Sequence, residues 1–131
     1  MYIIIHRHGE EEKFIGTFQD KDYVNEVIER YKQFEGFNKY KDGFIVLEPP
    51  YRGKDILQKR DVVYIVVSYE WDYSIWDDGD EVDVRYHIIF DNEKSAQKYL
   101  DSMKKEENRD YEIQEVILDA CSWDGGFYIA D

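Results

Sequence analysis

The chain has 131 residues, 17 Lys+Arg against 30 Asp+Glu, and a formal net charge of -13. That length suits one domain or two very small ones, and it can bury roughly two thirds of its unfolded surface without staples. A content of 43% hydrophobic and 17% aromatic residues excludes a disordered acidic tail, and the charge speaks against nucleic acid and anionic membranes while favouring a basic partner or simple solubility.

The apolar run Tyr2-Ile3-Ile4-Ile5 is too short for a signal peptide or a membrane span. Two alternating segments, Tyr2 to His8 and Lys13 to Phe18, predict a first pair of strands. Val24, Val27, Ile28 and Tyr31 recur at helical spacing, with Asp20 as N-cap and Gly36 as the C-terminal stop. A strand at Phe44 to Glu48 follows and ends at Pro49-Pro50, because proline cannot continue a ladder. Residues 51–60 are polar and basic and read as a connection.

The pattern then returns. Tyr64-Ile65-Val66-Val67 echoes Tyr2-Ile3-Ile4-Ile5 at an offset of 62. At an offset of 72, Phe18, Val24, Val27, Ile28 and Tyr31 match Phe90, Ala96, Tyr99, Leu100 and Met103. A last strand covers about Tyr111 to Asp119. The expectation is an α+β fold of two similar ββαβ halves, mainly antiparallel sheet with two helices and a long second hairpin at about 62–90. Residues 1–131 form a single domain of two pseudo-repeats, about 1–50 and 61–119, joined by 51–60 and followed by a tail at 120–131.

The two offsets differ by ten residues, so the second hairpin is the first lengthened by five residues per arm. That adds about 17 Å of ribbon at roughly 3.4 Å per residue. Asp78-Gly79 is a strong two-residue turn signal. Centring the turn there pairs Val67 with Phe90, Tyr69 with Ile88, Trp71 with Tyr86, Tyr73 with Val84 and Ile75 with Val82. Glu70 then faces His87 and Asp72 faces Arg85. In this register the helices cover Val67, Tyr69, Ile88 and Phe90. The opposite face, with Ile4, Tyr64, Val66 and Ile89, packs the halves together or supports a homodimer.

Charge is unevenly written along the chain. Residues 1–60 hold 11 acids and 11 bases, whereas 61–131 hold 19 acids and 6 bases. From Asp61 to Val84 there are eight acids and no base. The ribbon tip carries Trp71, Asp72, Tyr73, Trp76, Asp77, Asp78, Asp80, Glu81 and Asp83. Two readings stand: a solvated hairpin whose charge blocks edge-to-edge aggregation, or a surface where aromatics anchor and carboxylates steer a basic protein.

Other chemistry is weaker. An EF-hand with Gly79 at its sixth position would place Ser74, Trp76 and Arg85 at ligand positions, and the motif fails. His6, His8 and His87 share one sheet face on the repeat alignment, beside Glu70, as a metal site, a pH-sensitive cluster or three ordinary strand histidines. There is no phosphate loop, GxSxG, HExxH or CxxC. Neither an enzyme nor a cofactor is expected. Cys121 is the one cysteine. It reads as a half-buried structural thiol in a reducing cytoplasm. Trp123 and Phe127, around Gly125-Gly126, read as pins for the tail.

The segment Gly36-Phe37-Asn38-Lys39-Tyr40-Lys41-Asp42-Gly43-Phe44, with Trp123, Gly126 and Phe127 later, resembles a small bacterial domain family without a settled function. Glu35 and Lys41 stand where that family has prolines. In size, acidity and aromatic richness the chain also resembles in kind the small cytoplasmic immunity proteins of bacterial polymorphic and contact-dependent toxins. That resemblance implies a cognate basic toxin domain as partner, in some cases a nuclease, with no nucleic acid or membrane bound. The alternatives are a nucleic-acid mimic that occupies a DNA-binding protein, and a housekeeping ligand-binding or regulatory domain.

Overall fold

A computed structural model describes residues 1–8, 11–55, 57–72, 80–123 and 126; for 71, 72 and 80–82 it describes the backbone alone. The chain is α+β, with two α-helices and seven strands among the described residues, in two mostly antiparallel sheets. It divides into two compact units, Met1–Glu48 with Leu118–Asp131, and Pro49–Ile117.

The first unit contains β1 (Tyr2–His8), β2 (Glu11–Phe18), α1 (Lys21–Tyr31) and β3 (Phe44–Leu47), with sheet order β2-β1-β3. Asp20 caps α1, its side chain accepting from the Asp22 amide, which satisfies one of the orphan donors of the first turn. The apolar stripe of α1 buries Val24, Val27 and Tyr31 against Ile4, Ile15, Phe18 and Phe37. Gly36 is not the helix stop. The helix ends at Tyr31 with Lys32 as C-cap, and Gly36, at φ 86°, opens a 3-10 turn over Phe37–Lys39. That positive φ is why glycine stands there. A second 3-10 turn, Lys41–Gly43, leads into β3.

The chain re-enters this unit after β7. Cys121 bridges to Gly16, the Ser122 amide donates to the Ile15 carbonyl, and Asp119 accepts from Gln19. Trp123 packs edge-on to Phe37, as a pin should; Phe127 lies outside the described residues. Gly16 has no room for a side chain. A Cβ there would sit 2.6 Å from the Ala120 carbonyl oxygen and 2.7 Å from the Phe18 ring. Gly16→Val is therefore expected to cost about 1–3 kcal/mol by overpacking, measured as a lowered urea midpoint with an unchanged denaturant slope.

The second unit repeats the plan: β5 (Val62–Asp72), β6 (Asp80–Phe90), α2 (Glu93–Ser102) and β7 (Arg109–Ile117). A two-residue strand, β4 (Tyr51–Arg52), runs parallel to β6 at the sheet edge, where the sequence reads only a connection. In both units the first strand is central, between the second and the last. Tyr2 faces Phe18 as Tyr64 faces Phe90, and both hairpins shift register one residue after the next apolar pair, at Ile4/Ile5 and at Val66/Val67. Asn92 caps α2 as Asp20 caps α1. Ala96 and Leu100 are buried with Val66, Ile88 and Phe90, with Tyr64, Tyr99 and Met103 packed beside them.

The expected register of the long hairpin is corrected. Val67 faces Tyr86, not Phe90; Tyr69 faces Val84, not Ile88; Trp71 faces Glu81, not Tyr86; and Glu70 faces Asp83, not His87. Asp72 faces Asp80, not Arg85. The pairing is already displaced by three residues at Tyr64–Phe90, and two register shifts, at Val66/Val67 and Glu70/Trp71, each leaving one extra residue on β6, widen the displacement to five at Asp72–Asp80. The Asp78-Gly79 turn and Ile75 lie outside the described residues. The face assignment changes with the register. Tyr64, Val66 and Ile4 belong to the helix-covered faces, while Val67, with Val63, Ile65 and Ile89, turns the other way and is also buried.

Candidate functional site

Beyond Glu70 and Asp83, which occupy the positions of His8 and Glu11, the second hairpin has twelve residues where the first has two. This is the ten-residue extension. Trp71 and Asp72 end β5, and Asp80 and Glu81 begin β6. The pairing sets Trp71 against Glu81 and Asp72 against Asp80. Tyr73, Trp76, Asp77 and Asp78 lie outside the described residues.

β7 begins at Arg109, opposite Glu70. The last three-stranded row of the sheet is therefore Asp83, Glu70 and Arg109, two acids and one base. Past it the sheet has two strands, and the row Asp72–Asp80 sets acid against acid with no third strand. Directly opposed like charges destabilise a strand pair. The nearest bases in sequence lie outside the run from Asp61 to Val84.

The helix-facing side of the sheet changes chemistry along its length. Where α2 covers it, the residues are Tyr64, Val66, Ile88 and Phe90. Beyond them it is polar. Ser68, fully buried, shares a hydrogen bond with His87 Nε2 at 2.7 Å and accepts from Arg109 at 3.3 Å. Arg109, whose side chain is 2% exposed, also donates to Asp83. Arg85 reaches Asp83 at 3.1 Å and Glu106 at 3.5 Å. Tyr111 stacks on His87 and accepts from the Glu106 amide.

The electrostatics follow from this geometry. The Arg109 hydrogen bond holds the Asp83 carboxyl below the usual carboxylate range, with help from Arg85. Burial pushes His87 below its ordinary value, and the charges of Arg109 and Arg85 push the same way. The serine–histidine contact does not assemble a nucleophile of the serine–histidine–acid kind. The acid, Asp83, pairs with Arg109 rather than orienting the imidazole, and Ser68 is closed to solvent.

Of the nine ribbon residues read from the sequence, Asp83 alone has a described side chain, and it is held by two arginines of its own sheet. The others are placed by backbone register or lie outside. Sequence reading missed Arg109, which at 8% exposure is buried. An isolated arginine opening an otherwise alternating strand was the available signal. The three histidines do not share a face. His6 lies in the first sheet between Phe37 and Phe44, with Nε2 donating to the Tyr40 carbonyl, and His87 lies in the second. Burial lowers the His6 pKa. No group of three or more His, Cys, Asp or Glu among the described residues is arranged to hold a metal ion. Cys121 is half-buried against the first core and accepts from Arg30 at 3.3 Å.

The folded units redistribute the charge. Met1–Glu48 has 10 acids and 7 bases, and 118–131 adds three aspartates, for a net -6; Pro49–Ile117, with 17 acids and 10 bases, has -7. The neutral first half of the sequence is therefore not a neutral unit. What stays local is the base-free run on the long hairpin. Among the described residues no helix is long and apolar enough to cross a membrane. No family model, curated protein or solved structure matches the chain.

Proposed function

We propose that the protein is a non-enzymatic acidic inhibitor that binds a basic protein through the extended β5–β6 hairpin. The observation that carries this reading is the Asp72–Asp80 row, acid opposite acid on a two-stranded ribbon past the row that Arg109 closes. Lysine or arginine from a partner would relieve that repulsion and be steered to it. Trp71, Tyr73 and Trp76 would supply apolar anchoring, and Asp77, Asp78 and Glu81 further pairing. Asp83 is assigned to the internal network rather than to the partner. A cognate bacterial toxin domain, a nuclease among the candidates, fits the required charge. An immunity protein of this kind works in the cytoplasm, consistent with one unpaired cysteine.

The test uses the product of the gene neighbouring this one, immobilised as partner. Changing Asp77, Asp78 and Asp80 to serine together is expected to slow association at least tenfold at low salt. The difference should shrink as salt is raised. Unchanged association and affinity would remove the ribbon from the interface.

A further inference from the structure

The first unit carries a cleft of about 350 Å³ lined by Arg7, His8, Lys39, Tyr40, Lys41, Asp42 and Gly43. Its size lies in the range of small-molecule sites, about 300–1,000 Å³. In a chain of net charge -13 its lining is an exception, with three bases and one acid.

Local structure builds this wall. Phe37 is buried by the first 3-10 turn, which leaves Lys39 exposed. The Tyr40 carbonyl is tied to His6 Nε2 at 2.8 Å. The second turn then presses onto β1. A Cβ at Gly43 would lie 2.6 Å from the Arg7 carbonyl oxygen and 2.8 Å from His6 Nε2. Only glycine allows that approach. It sets the Tyr40 ring on His8, centroids 3.6 Å apart and planes 28° from parallel. Arg7 is paired with Glu12 at 2.7 Å. Lys39 and Lys41, both exposed, form no ion pair among the described residues.

We infer that this cleft binds a doubly charged phosphate group, as free phosphate or as the phosphate of a nucleoside monophosphate. Two lysines that form no ion pair among the described residues match two negative charges, and their ammonium groups supply several donors for phosphate oxygens. The stacked His8–Tyr40 pair offers a flat wall beside them. The overall negative charge does not forbid this, because exposed charges more than about 8 Å away are largely screened at physiological ionic strength.

The test is an amide-detected NMR titration of the full chain at pH 7 with inorganic phosphate. Sodium chloride of matched ionic strength is the control, and adenosine 5′-monophosphate is a second arm. Phosphate should shift amides at Arg7, His8 and Lys39–Gly43. The double variant Lys39→Glu/Lys41→Glu, changed only at exposed positions, should lose at least tenfold in affinity. Nucleotide binding at least tenfold tighter than phosphate assigns the stacked rings to a base; equal binding assigns the cleft to free phosphate. Equal shifts with chloride, or unchanged affinity in the double variant, overturn the inference.

Discussion

Replacing Phe37 by alanine is expected to lower the unfolding free energy by about 3–5 kcal/mol, the cost of truncating a fully buried phenylalanine. Phe37 has no exposed surface. Its ring meets those of His6 at 4.8 Å, Tyr31 at 5.4 Å, Phe44 at 5.6 Å and Trp123 at 6.1 Å. These come from β1, α1, β3 and the returning C-terminal segment. No single neighbour can move into the space without leaving another contact, so the void persists. Urea unfolding followed by tryptophan fluorescence and far-ultraviolet dichroism measures the loss. Phe37→Leu, which refills most of the volume, should retain more than half of it. A loss below about 1 kcal/mol for the alanine variant would mean that the four elements do not meet on this ring.

Asp83→Ala is expected to cost about 2–3 kcal/mol at pH 7. Removing one member of a buried pair costs about 3–5 kcal/mol because the other charge is stranded. The figure is reduced here because the Asp83 side chain is 39% exposed, although that of Arg109 is only 2% exposed. The effect depends on pH with a defined sign. The folded Asp83 pKa lies below its ordinary value, so the unfolded chain binds the proton more readily. Its contribution is full above the unfolded value of about 3.9 and is lost as pH falls through the folded value. The gap between wild type and variant in urea titrations should therefore close on the acid side. Asp83→Ala combined with Arg109→Met removes both charges and should recover much of the loss. If Asp83→Ala leaves stability unchanged and instead weakens partner binding, Asp83 belongs to the ribbon surface and not to the network.

Helices and repeat were legible because their signals are local. Val24, Val27 and Tyr31 recur at the helical period, and Ala96 and Leu100 repeat it 72 residues later; all five are buried. The register of the long hairpin was not legible. Alternation reports a face only when one face is wet. Here Val66 and Ile88 are buried on one face and Ile65, Val67 and Ile89 on the other, so either parity satisfies an apolar pattern. The two register shifts on β6 then change the parity within the strand. β4 was hidden because two residues after Pro49-Pro50 carry no period at all. The extended hairpin was visible as a difference in offsets. The network beneath it was not, since Arg109, Ser68 and Asp83 are far apart in sequence and meet only through pairing of β5 with β6 and β7.

The first unit is discontinuous: it is left at Glu48 and resumed at Leu118. The continuous segment Pro49–Ile117 is therefore translated in full before the residues that complete its predecessor. Until Asp119 reaches Gln19 and Trp123 reaches Phe37, the nascent first unit lacks one side of its aromatic cluster. Domains usually mature in the order in which they are translated. This chain completes its units in the reverse order, and the fragment of residues 1–117, released from the ribosome, should show a protease-resistant second unit beside a susceptible first one.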